Sequence, residues 1–157
     1  MIAPHGPFDH HARPAADDLV EPLEGIAGAD ALLGRRFPLP ALALPLTRWT
    51  AVTPLGGGVE VEWNLDDTRA GTPGRVALYA GLKAAPVREL PAPVAEREAS
   101  VRGMAARLRS APLDEAQASL RPVRELSWQR EDLYLRLTAQ GPWELEALFA
   151  IAASIEQ

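Results

Sequence analysis

The stretch that decides the fold is Leu126-Ser-Trp-Gln-Arg-Glu-Asp-Leu-Tyr-Leu-Arg-Leu137, together with the apolar segment 144–155 that follows it. On both sides of Arg130-Glu131-Asp132, apolar residues recur at every second position, which is typical of two half-buried strands joined by a turn. Pro142 then suits the first turn of a helix, where an N–H would be unpaired in any case. The helix places its own apolar residues at helical spacing. This unit must bury one apolar face, and Trp128 is predicted at the centre of the fold.

Length and composition indicate a single folded domain with a loose N-terminus. The chain has 157 residues, of which 47% are hydrophobic and 24% charged, as is usual for globular proteins. We predict one domain over 15–157 and a flexible tail over 1–14, where prolines and histidines occur without periodicity. The net charge of −5 argues against a nucleic-acid partner. No apolar run is long enough to predict membrane insertion.

The rest of the chain predicts a small α+β domain. A helix is expected from Asp17 or Asp18 to Leu33. The predicted strands and loops are a hairpin over 49–55 and 59–65, a strand over 75–83, and a loop over 84–93. In 59–65 valines, Trp63 and Leu65 alternate with polar residues, which predicts one buried face and one solvated face. Segment 94–109 fits either a helix or a strand. We therefore predict a twisted antiparallel sheet of about five or six strands with an N-terminal and a C-terminal helix packed on it.

The chain resembles a family. The proline-containing entry at 37–45, the stretch Val101-Arg-Gly-Met-Ala-Ala106 and the closing unit 126–155 are similar to an uncharacterised domain of bacterial extracytoplasmic anti-sigma factors and lipoproteins. That domain is similar to part of the curved sheet of periplasmic lipoprotein carriers. The resemblance implies a sensing, binding or scaffolding role without catalytic residues, and it favours a strand after Ser100. We expect a cytoplasmic chain as given, or an extracytoplasmic one if it is cut from an anchored or exported precursor.

Two groups of residues are candidates for a site. His5, His10 and His11 are the three histidines of the chain, and imidazole suits transition metals, although a loose tail gives them no supporting partners. The aromatic residues Tyr79, Tyr134 and Trp49 are the candidates for a ligand or partner surface. Each tyrosine alternates out of phase with the aliphatic face of its strand. The other explanation for the tyrosines is packing under the N-terminal helix.

No catalytic motif predicts a reaction. The chain has no cysteine, and none of its serines lies in a Gly-x-Ser-x-Gly turn. We therefore expect a non-enzymatic domain, without a cofactor, that binds a protein partner or an apolar ligand, with a homodimer as one option for the partner. The alternatives are a lipid or lipopeptide carrier, and a small metal-dependent hydrolase that uses the histidine-containing tail.

Overall fold

The computed structural model describes residues 22–42, 44, 49–64, 74–90, 94–111, 123–141 and 143–155. The helices and strands of this part of the chain are α1 (Pro22–Leu33), β1 (Trp49–Leu55), β2 (Gly58–Asn64), β3 (Arg75–Gly81), β4 (Ala95–Val101), β5 (Met104–Ala111), β6 (Val123–Arg130), β7 (Leu133–Gln140) and α2 (Leu145–Ala153). The strands form one antiparallel sheet in the order β1-β2-β3-β7-β6-β5-β4. The predicted α+β class is confirmed.

The number of strands is the main correction to the sequence prediction. The described residues form seven strands, not five or six, because segment 94–109 contains most of a hairpin instead of one helix or one strand. The turn lies at Arg102 and Gly103, whose φ angles of 50° and 82° are both left-handed, as in the type I′ turns that are common in two-residue hairpins. Pairing decides against the helix, since Ala106 and Leu108 lie opposite Trp128 and Leu126 of the closing unit.

The closing unit forms as the alternation predicts, with longer strands. Trp128 pairs with Leu135 across β6 and β7, and the turn between them includes Glu131 at a φ of 54°. The strands extend to Val123 on one side and to Gln140 on the other. Pro142 and the start of the predicted first helix, residues 17–21, lie outside the described residues, as does the predicted tail.

Both helices pack on the same face of the sheet, which we call the core face. Ala29 of α1 and Leu148 and Ile151 of α2 are buried against it. Trp128 lies in this core and exposes 5% of its surface. The sheet contributes alternate residues of its strands to this core: Val59, Val61, Val76, Leu78, Leu108, Leu126, Leu135 and Leu137. No helix in the part of the chain that the structure describes is long and apolar enough to cross a membrane.

The connection from β3 to β4 crosses the opposite face. β3 lies next to β7, whereas β4 is the far edge strand, so β7, β6 and β5 separate the two. Residues 84–90, which we call the strap, have no helix or strand structure, in agreement with the predicted loop. Side chains of β5 and β7 donate hydrogen bonds to strap carbonyls. The strap therefore covers part of the face that the helices leave open, which we call the polar face.

Candidate functional site

The polar face carries buried charges. Glu60 of β2 lies opposite Tyr79 of β3, which lies opposite Arg136 of β7, so the three share one row across the sheet. Glu60 and Glu62 expose only 3% and 4% of their surfaces. The prediction that this side of 59–65 is solvated is therefore wrong. For Glu60 the reason is the strap, whose Arg88 side chain lies over this carboxylate.

Three arginines and two glutamates on this face form one network. The Glu60 carboxylate Oε2 lies 3.1 Å from Nη2 of Arg88 and 3.5 Å from Nη2 of Arg136. Glu125 of β6 accepts a hydrogen bond of 2.9 Å from Nη1 of Arg109 on β5. The second oxygen of Glu125 is 3.8 Å from Nε of Arg136 and 3.9 Å from Nη1 of Arg88. The network thus joins four strands and the strap.

Burial makes this network sensitive to the balance of its charges. The pKa of Arg136 is lowered, chiefly because burial removes its guanidinium from water and next because the Arg88 charge repels it. Glu60 and Glu125 oppose that shift. Both carboxylates expose 3% of their side chains, so each depends on its arginine partners for compensation that solvent cannot supply.

The same side chains fasten the strap to the sheet. Arg136 donates a hydrogen bond of 2.7 Å from Nη1 to the carbonyl of Pro86. Both terminal nitrogens of Arg109 lie 3.2 Å from the carbonyl oxygen of Arg88 and donate to it. Arg88 also donates to the Thr138 hydroxyl at 3.1 Å. Because the strap belongs to no sheet or helix, the bonds from Arg136 and Arg109 satisfy backbone carbonyls that it does not pair within a helix or strand.

Tyr79 is fixed by a pair of glycines. Gly58 and Gly81 lie opposite each other in β2 and β3. A Cβ atom on Gly81 would lie 2.8 Å from the Tyr79 ring and 2.8 Å from the Gly58 Cα. The ring therefore occupies space that only glycines leave free, and its hydroxyl donates a 2.6 Å hydrogen bond to the Lys83 carbonyl. Burial raises the pKa of Tyr79, and the guanidinium carbon of Arg136 lies 5.9 Å from the ring centre.

A cavity of about 560 Å³ opens between the strap and the polar face. Both predicted tyrosines line it, Tyr79 completely buried and Tyr134 half-buried, on neighbouring strands. One wall of the cavity is apolar and consists of the strap residues Ala84, Ala85 and Val87. The charged lining residues among those described are Arg107, Arg109, Arg136, Glu96 and Glu125. This volume falls within the ~300–1,000 Å³ that small-molecule sites occupy.

The other predicted site residues are not part of this cavity as described. Trp49 is the first residue of β1 and pairs with Asn64, and its side chain lies outside the described part of the structure. His5, His10 and His11 also lie outside it. The residues that the structure describes include no group of three or more His, Cys, Asp or Glu side chains that could hold a metal ion.

The sequence prediction missed the charged part of the site. Arg107 and Arg109 are two positions apart on β5, so they share a face, and Arg136 shares a face with Tyr134 in the same way. Alternation was therefore a usable signal within each strand. It did not reveal that β5, β6 and β7 are neighbours, which is what brings these side chains together.

Comparisons with protein-family models, with curated proteins and with solved structures gave no significant match. The resemblance to the domain of anti-sigma factors and lipoproteins therefore stays a prediction.

Proposed function

We propose that this domain is a non-enzymatic binding module that holds a ligand with an apolar body in the cavity beneath the strap. The observation that carries the proposal is the cavity itself, about 560 Å³ in volume, with Ala84, Ala85 and Val87 on one side and Tyr134 on the other. Concave sites of this size with mostly apolar walls and a few fixed polar groups are typical of small-molecule binding.

The surroundings of the cavity support binding because they are held in place before a ligand arrives. The Tyr79 ring is fixed in the space beside Gly58 and Gly81 and by its hydrogen bond to Lys83. Arg136 is fixed by Glu60 and by the Pro86 carbonyl. A preorganised site loses little conformational entropy when it binds. A lipid or lipopeptide carrier would use the same cavity, and a protein partner or a second copy of the chain would have to reach it with an apolar side chain.

The hydrolase alternative has less support. Glu125 lines the cavity and Glu60 binds the lining residue Arg136, and both of these buried carboxylates are held by arginines that fasten the strap. Their burial is thus explained by a structural task. The histidines on which that alternative depends lie outside the described residues.

A neutral apolar dye tests the proposal. N-phenyl-1-naphthylamine becomes fluorescent in apolar sites, and we expect saturable fluorescence with the intact protein. Ala85→Trp should fill the cavity from the strap and weaken binding about tenfold or more, because Ala85 lines the cavity and is only half-buried. Ala153→Trp at the exposed end of α2 is the matched control and should bind as the parent does. Equal dye binding by the two variants would place the dye elsewhere and refute the proposal.

A further inference from the structure

The charges around the cavity restrict the class of ligand more than its volume does. Among the described residues that line it, three are arginines and two are glutamates, so the lining has one positive charge in excess: Arg107, Arg109, Arg136, Glu96 and Glu125. Arg88 and Glu60 lie outside the lining and balance each other. The excess is notable in a chain whose net charge is −5.

The three lining arginines differ in how freely they can meet a new partner. Arg109 and Arg136 are bound to Glu125 and Glu60, which expose 3% of their side chains, and both arginines also hold the strap. Releasing either one would leave a buried carboxylate with fewer positive charges to compensate it. They supply a fixed positive field and are not free to rearrange.

Arg107 is different. Its Nη1 lies 2.6 Å from Oε1 of Glu96, and the two side chains are 55% and 44% exposed. Exposed ion pairs contribute little to stability, because water solvates both partners well when they separate. A carboxylate that enters the cavity can therefore replace Glu96 on Arg107 at small cost, and Glu96 on the edge strand β4 can turn to solvent.

We propose that the ligand is a monoanionic amphiphile, a molecule with an apolar body and one carboxylate or equivalent head group. The apolar body lies against Val87, Ala85 and Tyr134, and the head group binds the guanidinium of Arg107. This inference rests on the proposed binding function and narrows it to one class of ligand. The field of Arg109 and Arg136 favours the same orientation, since both line the cavity.

Three ligands with the same ten-carbon chain and different head groups test the charge, measured by displacement of N-phenyl-1-naphthylamine. Decanoate should displace the dye at a concentration about tenfold lower than decanol, and decylamine should be weaker than both. Arg107→Gln should remove most of the advantage of decanoate over decanol while leaving decanol unchanged. Raising the NaCl concentration should weaken decanoate alone, because Arg107 is exposed.

Arg97→Gln is the matched control. Arg97 is an exposed arginine on β4, and it does not line the cavity, so its loss removes the same charge and should leave decanoate binding unchanged. If decanol and decanoate bind equally and Ala85→Trp still weakens both, the cavity is a binding site and the head-group inference is wrong. If Ala85→Trp leaves the displacement of the dye by all three ligands unchanged, the binding function and the inference both fail.

Discussion

Replacing Glu60 by glutamine removes one charge from the network and leaves its shape almost unchanged. Glu60 exposes 3% of its side chain and faces both Arg88 and Arg136. The exposed pair of Arg35 and Asp132 offers a comparison, because its atoms lie 3.0 Å apart and its side chains are 43% and 63% exposed. The two pairs share their chemistry and differ in burial.

The expected costs differ severalfold. Glu60→Gln leaves the buried guanidinium of Arg136 and the partly buried one of Arg88 with Glu125 as the remaining carboxylate of the network, and breaking a buried pair in this way costs about 3–5 kcal/mol. Asp132→Asn removes an exposed pair, which contributes about 0–1 kcal/mol. A domain of this size is stable by about 5–15 kcal/mol, so the loss from Glu60→Gln should be easy to measure by unfolding. The loss from Asp132→Asn should be close to the error of the measurement.

Urea unfolding of the parent and of both variants measures these costs. We expect Glu60→Gln to lower the midpoint without changing the slope, which reports a change in stability and not in the surface exposed. About 0.5 M NaCl should abolish any effect of Asp132→Asn and leave that of Glu60→Gln, because salt screens buried charges much less. If the two variants differ by less than about 1 kcal/mol, water reaches Glu60, and the network beside the cavity is not the fixed, buried support that the binding proposal assumes.

Three further predictions follow from other parts of the fold. Trp128→Ala should cost about 3–5 kcal/mol in a urea series, because it removes a large side chain from the core; a cost below about 1 kcal/mol would contradict its burial. Burial raises the pKa of Tyr79, so the folded state keeps that proton more tightly than the unfolded chain does, and stability falls as pH rises above about 10. Tyr79→Phe should flatten that fall in thermal melts from pH 8 to 11, and an unchanged slope would assign it to other groups. Deleting residues 1–14 should change the free energy of unfolding by less than about 1 kcal/mol, since the segment has no periodic apolar residues. A larger loss of stability would show that the segment packs on the domain.

Sequence patterns predicted the parts of the fold that depend on neighbouring residues. The β1–β2 and β6–β7 hairpins follow from alternation and turn chemistry within each segment. The β4–β5 hairpin was not predicted because β4, Ala-Glu-Arg-Glu-Ala-Ser-Val, is an exposed edge strand with little apolar alternation to distinguish it from a helix. Alternation also placed Tyr79 and Tyr134 away from the aliphatic face of their strands, where the structure has them.

The buried charges could not be predicted, because alternation says which residues share a face and not which face another segment will cover. The strand order decides this. A chain that leaves β3 and returns at the far edge must cross four strand spacings, roughly 19 Å at about 4.8 Å each. The 13 residues between Gly81 and Ala95 can span about 43 Å at ~3.3 Å per residue, so they need not lie flat on the sheet.

Proline and arginine then determine how the strap is attached to the sheet. Pro86 has no N–H, so it cannot donate a hydrogen bond to a neighbouring strand. The Pro86 carbonyl instead accepts a hydrogen bond from the guanidinium of Arg136. Arg109 reaches the Arg88 carbonyl in the same way. Two arginine side chains thus link the strap to the sheet, and residues of both line the cavity. The same two arginines contribute to the excess of one positive charge in the described lining of the cavity, and that excess is the basis for proposing an anionic ligand.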